Sequence, residues 1–346
     1  CRRWSLGPLP ALRQWTTTLG RSVLILKSID LAASEAKPKK RRTELQQRLT
    51  LIRRNKVLYL FILPAFLYFL IFIYVPIYGV QIAFKDFVAS KGFSGSSWAV
   101  PFYKHFKTFF SSVYFWDILR NTLGLSLYYI AASFPAAIIL ALMINEVKNV
   151  RFKKAVQNIT YIPYFISTVV LVGMINLFFA RSGLVNNIAG LFGAEPQLFL
   201  QKDALFDDLY VWSGVWQTTG YSSVIFIAAL AGVDPALHEA ATLDGATRLQ
   251  RIIHVNIPAI MPTIVVMLIM TLGGIMNLSM EKILLMQNDT NLMVSEVIAT
   301  YVYKLGIQKA QYSLSTAVGL FNNVINLLLL VSVNWFSRKV NETSLW

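Results

Sequence analysis

An all-α integral membrane protein with six spanning helices and both termini in the cytoplasm is the fold class that this sequence predicts. Three observations carry it. Hydrophobic residues make up 55% of the 346 and charged residues only 14%, against about 25% charged in an average soluble domain. The apolar residues gather in six runs, each near the roughly 20 residues that a helix needs to cross a bilayer. Lys and Arg are shared unequally between the two sets of connecting segments. With a mean hydropathy of +0.54, this composition excludes a disordered chain, a coiled coil and an ordinary soluble enzyme.

In order, the runs are 57–84, 116–145, 156–180, 210–231, 259–281 and 314–336. Pro64 and Pro76 in the first and Pro135 in the second would break soluble helices. Inside a bilayer such kinks persist where neighbours re-satisfy the backbone. Segments 1–56, 146–155, 232–258 and the C-terminus hold 22 Lys and Arg, and segments 85–115, 181–209 and 282–313 hold nine. The richer side is read as cytoplasmic. Residues 1–55 then form a basic cytoplasmic tail, expected to be partly disordered or non-native, and 56–346 form one six-span domain.

Residues 1–56 supply +11 of the net charge of +15. The basic balance is therefore a topology signal with some attraction to anionic lipid, and it implies no nucleic-acid partner. Residues 37–56 read equally well as a basic amphipathic helix on the membrane surface or as a solvated tail. A single cysteine, Cys1, and three histidines give no basis for a disulfide or a metal site.

The segment 233–262 carries the most information. Asp234 suits a helix N-cap and Pro235 the first helical position. A short helix is expected over 235–244, ended by Gly245, which can take the left-handed conformation that closes a helix. A second helix over 246–254 should stop before Pro258. Ala240 and Ala241 leave a smooth helix surface with the charge of Glu239 beside it, which suits docking into a partner's cleft. His238-Glu239 begins like a zinc-protease motif, but position 242 is Thr, so the second ligand is missing.

Glu239-Ala240-Ala241, Gly245 and Val255-Asn256-Ile257-Pro258 together resemble the EAA loop of binding-protein-dependent ABC importer permeases. The family form is EAA, three residues, G, nine residues, I-x-L-P; here Val255 and Ile257 replace its Ile and Leu. The wider chain is similar to the LplB-type permeases for polysaccharides and complex oligosaccharides. Tyr161-Ile162-Pro163-Tyr164-Phe165-Ile166-Ser167, Thr300-Tyr301-Val302-Tyr303, Ala317-Val318-Gly319-Leu320-Phe321 and the terminal Ser344-Leu345-Trp346 carry that likeness. It covers roughly residues 55–346.

The resemblance implies a six-transmembrane-helix type I ABC importer (MetI-like) bundle in a bacterial plasma (inner) membrane. It implies that Glu239, Ala240, Ala241, Asp244, Gly245, Ala246 and Pro258 couple the chain to an ATPase. It also implies three kinds of partner: a second, similar permease subunit or a second copy of this one, two copies of a cytoplasmic ABC ATPase, and an extracytoplasmic sugar-binding lipoprotein or periplasmic binding protein. The chain lacks a phosphate-binding P-loop and any Gly-Lys dipeptide, so ATP and Mg are expected on the partner and no cofactor on this chain.

For the substrate pathway, polar and aromatic residues inside the spans are the candidates, since spans avoid polar groups unless they face protein or water. These are Trp216, Thr218 and Tyr221, with Gln217, in the fourth run, and Thr271 and Asn277 in the fifth. Counted from Glu239, Tyr221, Thr218 and Thr271 fall at offsets that match sugar contacts in the maltose relative. The alternative for each is helix–helix contact or an interfacial aromatic belt. Gly273 and Gly274 could mark close helix packing. Glu281 and Lys282 are expected as an interfacial pair at the outer end of the fifth span. The 85–115 segment would meet the binding protein or cap the bundle.

Rival readings are a type I permease for a non-sugar solute, a stand-alone channel or carrier, and an intramembrane enzyme. The carrier gives no reason for a docking loop. The enzyme lacks convergent catalytic groups, with no His in a predicted span and no Asp at a span centre.

Overall fold

The computed structural model describes residues 54–341. Cys1, almost all of the basic tail with its 37–56 segment, and Ser344-Leu345-Trp346 lie outside the described residues. Two units separate, Cys1–Val75 and Pro76–Trp346.

In the first unit, α1 (Lys56–Phe69) passes into a π-helical turn, Leu70–Tyr74. Its apolar side chains are exposed all along it, Phe61 to 81%. Pro64 lies inside it. Covering such a surface with lipid or protein is favourable, because apolar surface in contact with water is costly.

The second unit contains α2 (Phe115–Glu146), α3 (Val150–Tyr161), α4 (Thr168–Phe178), α5 (Asp203–Ala231) and α6 (Pro235–Leu243). It continues with α7 (Ile257–Gly273), α8 (Met280–Met286), α9 (Ile298–Tyr303) and α10 (Tyr312–Asn341). Among the described residues the only extended pairing is an isolated bridge between Lys85 and Trp98. The all-helical expectation holds.

Four helical runs are long and apolar enough to cross a membrane: Lys56–Phe84, Phe115–Glu146, Arg248–Gly273 and Tyr312–Lys339. Two bent pairs bring the number to six if each is one span. The first is Val150–Phe165 with Thr168–Phe178, bent by 96°. The continuous helix expected over 156–180 is therefore corrected to a broken one. Asn149 caps α3 by accepting from Arg151 N and Phe152 N. Pro163 turns the chain in a 3-10 segment, and the Ser167 side chain caps α4 by accepting from Val170 N at 3.4 Å. The second pair is α5 with α6, bent by 74°. The 29 residues of α5 rise about 43 Å, enough to cross the hydrocarbon core without α6.

Two further corrections concern the fifth span. It ends at Gly273 rather than 281, and a turn separates it from α8. Pro258 does not stop the preceding helix. Residues Ile252–Asn256 form a π-helical turn, whose wider ring relieves the clash a proline makes with the carbonyl four residues back. The helical run is then continuous from Arg248 to Gly273 and contains His254, contrary to the expectation of no His in a span.

Helices α2 and α5 run side by side in the same direction. Leu125 packs with Tyr210 and Val211 in one cluster, and Ala141 packs with Phe226 and Leu230 in another. Gly220 allows α5 to reach α3, since a Cβ there would lie 1.9 Å from the Thr160 carbonyl oxygen. Gly273 does the same for α10, where a Cβ would meet Leu330 at 2.5 Å, whereas a Cβ on Gly274 would meet only ordinary contacts. Part of the 85–115 segment caps this unit: Phe109, 1% exposed, packs edge-on to Phe115 and Phe321.

Candidate functional site

Two features hold the residues singled out above. The first is the 233–258 loop. The Asp234 carboxylate accepts from Ala236 N at 2.9 Å and Pro235 follows, so α6 starts where capping chemistry places it. At its other end Ala246 N donates to Ala241 O at 2.9 Å and Gly245 N to Thr242 O at 3.1 Å, the paired bonds of a Schellman stop. Gly245 has φ +78° and nothing within 4 Å of its would-be Cβ. Its requirement is conformational and not steric.

Thr247 and Gln250 form a capping box for the next turn, Arg248–Arg251. The second helix thus begins two residues later than expected. Arg251 Nη1 donates to Thr242 Oγ1 at 2.7 Å, which ties that turn back to α6. Glu239, Ala240 and Asp244 are exposed, Ala241 and Ala246 half-buried, and Pro258 exposed on the first turn of α7. Glu239 has no ion pair or side-chain hydrogen bond among the described residues. Leu243, 89% exposed, and the exposed Leu237 and Leu249 lie on the same loop. The loop therefore presents an unpaired carboxylate and three exposed leucines on a backbone held by two caps.

The second feature is a cleft of about 730 Å³ between α2, α5 and α7. Thr218, Tyr221 and Thr271, predicted from two separate runs, line it together with Tyr129, Phe134 and Tyr164. The rings of Tyr164 and Tyr221 stack at 3.9 Å between centroids and 7° between planes. The Tyr129 hydroxyl and Thr218 Oγ1 are 3.1 Å apart. Thr218 and Thr271 donate to the carbonyls of Gly214 and Met267, at 2.9 and 2.8 Å. That makes the Tyr129 hydroxyl the donor to Thr218 and leaves one lone pair on Thr218 and two on Thr271 for a solute.

The other two pathway candidates lie elsewhere. Trp216 is half exposed and does not line the cleft. Asn277 lies in the turn after α7, where its Oδ1 accepts from Asn322 and Asn326 at 3.2 and 3.0 Å, tying that turn to α10. Gln217 Nε2 donates to Ile166 O at 2.8 Å and so holds the break between α3 and α4.

The sequence reading missed Tyr129 and Tyr164. A signal for Tyr164 existed, because Pro163 just before it marks a break in an otherwise apolar run. The reading also misplaced Lys282. It is no interfacial partner of Glu281, which is exposed. Instead it is 5% exposed and donates to the Tyr210 carbonyl at 2.8 Å. After the break at 274–279, α8 lays it against the first half of α5.

A cleft lined by tyrosines, threonines and apolar side chains, set among helices long and apolar enough to cross a membrane, fits a membrane permease. A family model described as the binding-protein-dependent transport system inner membrane component matches residues 133–342. Protein LplB of Bacillus subtilis (strain 168) is 40% identical over 85% of this chain and 92% of its own length. The polygalacturonan/rhamnogalacturonan transport system permease protein YteP of the same organism is 41% identical over 85% and 91%. A crystal structure of a bacterial ABC transporter involved in the import of the acidic polysaccharide alginate superposes with a TM-score of 0.78 at 39% identity, covering 85% of this chain and 99% of that one. The chain belongs to the family of binding-protein-dependent transport system inner membrane components. It is a multi-pass permease subunit of an ABC importer, not an enzyme.

Proposed function

We propose that this subunit carries a complex oligosaccharide or polysaccharide fragment through the α2–α5–α7 cleft, powered by a separate ATPase seated on the 233–258 loop. The observation that carries this reading is the meeting of Tyr164, Tyr221, Thr218 and Thr271 around one cleft. Sugar rings present C–H faces that pack on aromatic rings, and hydroxyls that pair with threonine oxygens. The sugar permeases among its relatives support the solute class.

The coupling surface is Glu239, Ala240, Ala241, Asp244, Gly245 and Ala246, with Pro258 at the root of α7. Glu239 pairs with a basic residue of the ATPase, and the small alanines admit its backbone closely. Because α6 is tied to the next turn by Arg251 and Thr242, a pull on α6 reaches α7 as a rigid displacement, and the cleft between α5 and α7 changes shape. The full assembly has two permease subunits, two ATPase copies that bind ATP and Mg, and an extracytoplasmic binding protein that delivers the sugar. The tail 1–55 and both termini lie in the cytoplasm.

The test is co-purification from the native host followed by transport in liposomes. Recovery of an ATPase, a second permease and a sugar-binding protein, with ATP-dependent uptake of an oligosaccharide, is the expected outcome. Solute movement by the chain alone without ATP would overturn the reading.

A further inference from the structure

Lys282 is a buried charge that the reading above does not use. Its ammonium has three N–H protons. One is donated to the main-chain carbonyl of Tyr210 at 2.8 Å, and the group stands over the ring of the same tyrosine, 4.6 Å from its centroid. No carboxylate among the described residues pairs with it. A buried ammonium with one neutral acceptor and no counter-ion is costly. Within a membrane protein such a charge persists where it faces a pathway or a ligand.

Its position relative to the cleft follows from Gly214. A Cβ there would lie 3.2 Å from Lys282 Nζ and 2.7 Å from a ring carbon of Tyr129. Only glycine leaves room for both side chains against α5. Thr218, one turn further on the same face of α5, is the residue to which the Tyr129 hydroxyl is bonded. Tyr129 and Thr218 are also the first residues of α2 and α5, in chain order, to line the cleft. The two helices run in the same direction, so these residues form its end wall on the side away from the 233–258 loop. The ammonium does not itself line the cleft; it shares the Gly214 face of α5 with the Tyr129 ring and stands over the Tyr210 ring.

We propose that Lys282 is the counter-charge for a carboxylate of the transported sugar, which makes this a permease for acidic, uronate-bearing oligosaccharides, with Tyr129 screening the ammonium from the cleft in the present conformation. The proposal rests on the oligosaccharide reading and narrows it. Rotation of Tyr129 breaks its hydroxyl–hydroxyl bond to Thr218 and opens a way from the cleft to the two ammonium protons that the Tyr210 carbonyl does not take. A uronate residue offers a carboxylate for those protons and an apolar ring face for the tyrosines. A neutral sugar offers only the second.

The experiment uses the full importer in liposomes, with tri-galacturonate and its methyl ester as equal-length substrates. The variants are Lys282→Gln and Lys282→Arg, each checked for wild-type abundance and co-purifying ATPase. Expressing each variant's uptake relative to wild type cancels the preference of the delivering protein. Lys282→Gln is expected to lower tri-galacturonate uptake about tenfold or more, the size of one lost charge-assisted hydrogen bond. It should leave the ester within about twofold, and Lys282→Arg should retain most acid uptake. Equal loss of both substrates in Lys282→Gln would make Lys282 a structural post and overturn the proposal, as would unchanged acid uptake. A wild-type importer that moves the ester but not the acid overturns the proposal alone. One that hydrolyses ATP yet moves no oligosaccharide overturns the sugar reading beneath it.

Discussion

Tyr164 and Tyr221 lie ring on ring, 3.9 Å apart and within 7° of parallel, although one lies in the break between α3 and α4 and the other midway along α5. The pair forms one wall of the cleft. Tyr221→Ala is expected to lower oligosaccharide uptake about fivefold, since an aromatic contact is worth ~1 kcal/mol beyond its area, while membrane abundance is kept. Tyr221→Phe keeps the stack and should retain most activity. Uptake and substrate preference unchanged in the alanine variant would remove Tyr221 from the pathway.

The 233–258 loop separates two kinds of dependence. Glu239→Lys alters an exposed charge without touching the fold, so it should abolish transport and ATPase co-purification while insertion persists. Gly245→Val places a β-branched residue at φ +78°, where an L side chain costs roughly 1–2 kcal/mol. Its transport should fall while Gly245→Asn, which tolerates that conformation, retains much more. Normal uptake in both Glu239→Lys and Gly245→Val would dissolve the coupling assignment.

Gly220 sets how closely α5 meets α3. Any Cβ there collides with the Thr160 carbonyl, a backbone atom that cannot rotate away. Gly220→Ala is expected to destabilise by about 1–3 kcal/mol, as overpacking does, and to lower the detergent-solubilised Tm by several degrees. Gly124→Ala, with nothing within 4 Å of its would-be Cβ, is the matched control and should leave the Tm unchanged.

Asp86 lies outside the spanning runs and pairs with Lys104 at 2.8 Å, with His105 at 3.2 Å. The hydrogen bond from Lys104 holds its carboxyl below the usual carboxylate range. Folding therefore gains from this group above its ordinary titration range and loses that gain as pH falls through the lowered value. The pair is solvent-exposed, so the gain is under about 1 kcal/mol. Lys104→Met should change the Tm at neutral pH by no more than a degree or two and flatten the acid limb of the stability profile. A large neutral-pH loss would show that the pair carries more than a surface contact.

The six apolar runs, the short helix after Asp234 and its stop at Gly245 were legible because hydropathy and capping are local properties. Three of the five pathway candidates, Thr218, Tyr221 and Thr271, reach one cleft because polar residues in an apolar span must face inward. Trp216 and Asn277 do not, because residue type alone cannot separate a cleft wall from an exposed face or a turn. The bend between α3 and α4 escaped because an apolar run averages over a sharp break, and only Pro163 with Ser167 hinted at it. The passage of the helix through Pro258 depends on a π-helical turn, which leaves no mark in composition. Lys282 was misplaced because its surroundings are set by the break at 274–279, after which α8 packs against a helix some 70 residues earlier in sequence.

Leu237, Leu243 and Leu249 stand exposed on a loop whose backbone is fully capped. They cannot retreat by refolding, since each cap fixes the turn that carries them. On the proposed docking of an ATPase at this loop, a cell that makes the subunit in excess of its partner holds an adhesive patch uncovered. Balanced synthesis of the subunits then becomes a matter of survival for the orphan chain, because the surface proposed to recruit the motor is also the one a quality-control protease or an aggregate would find first.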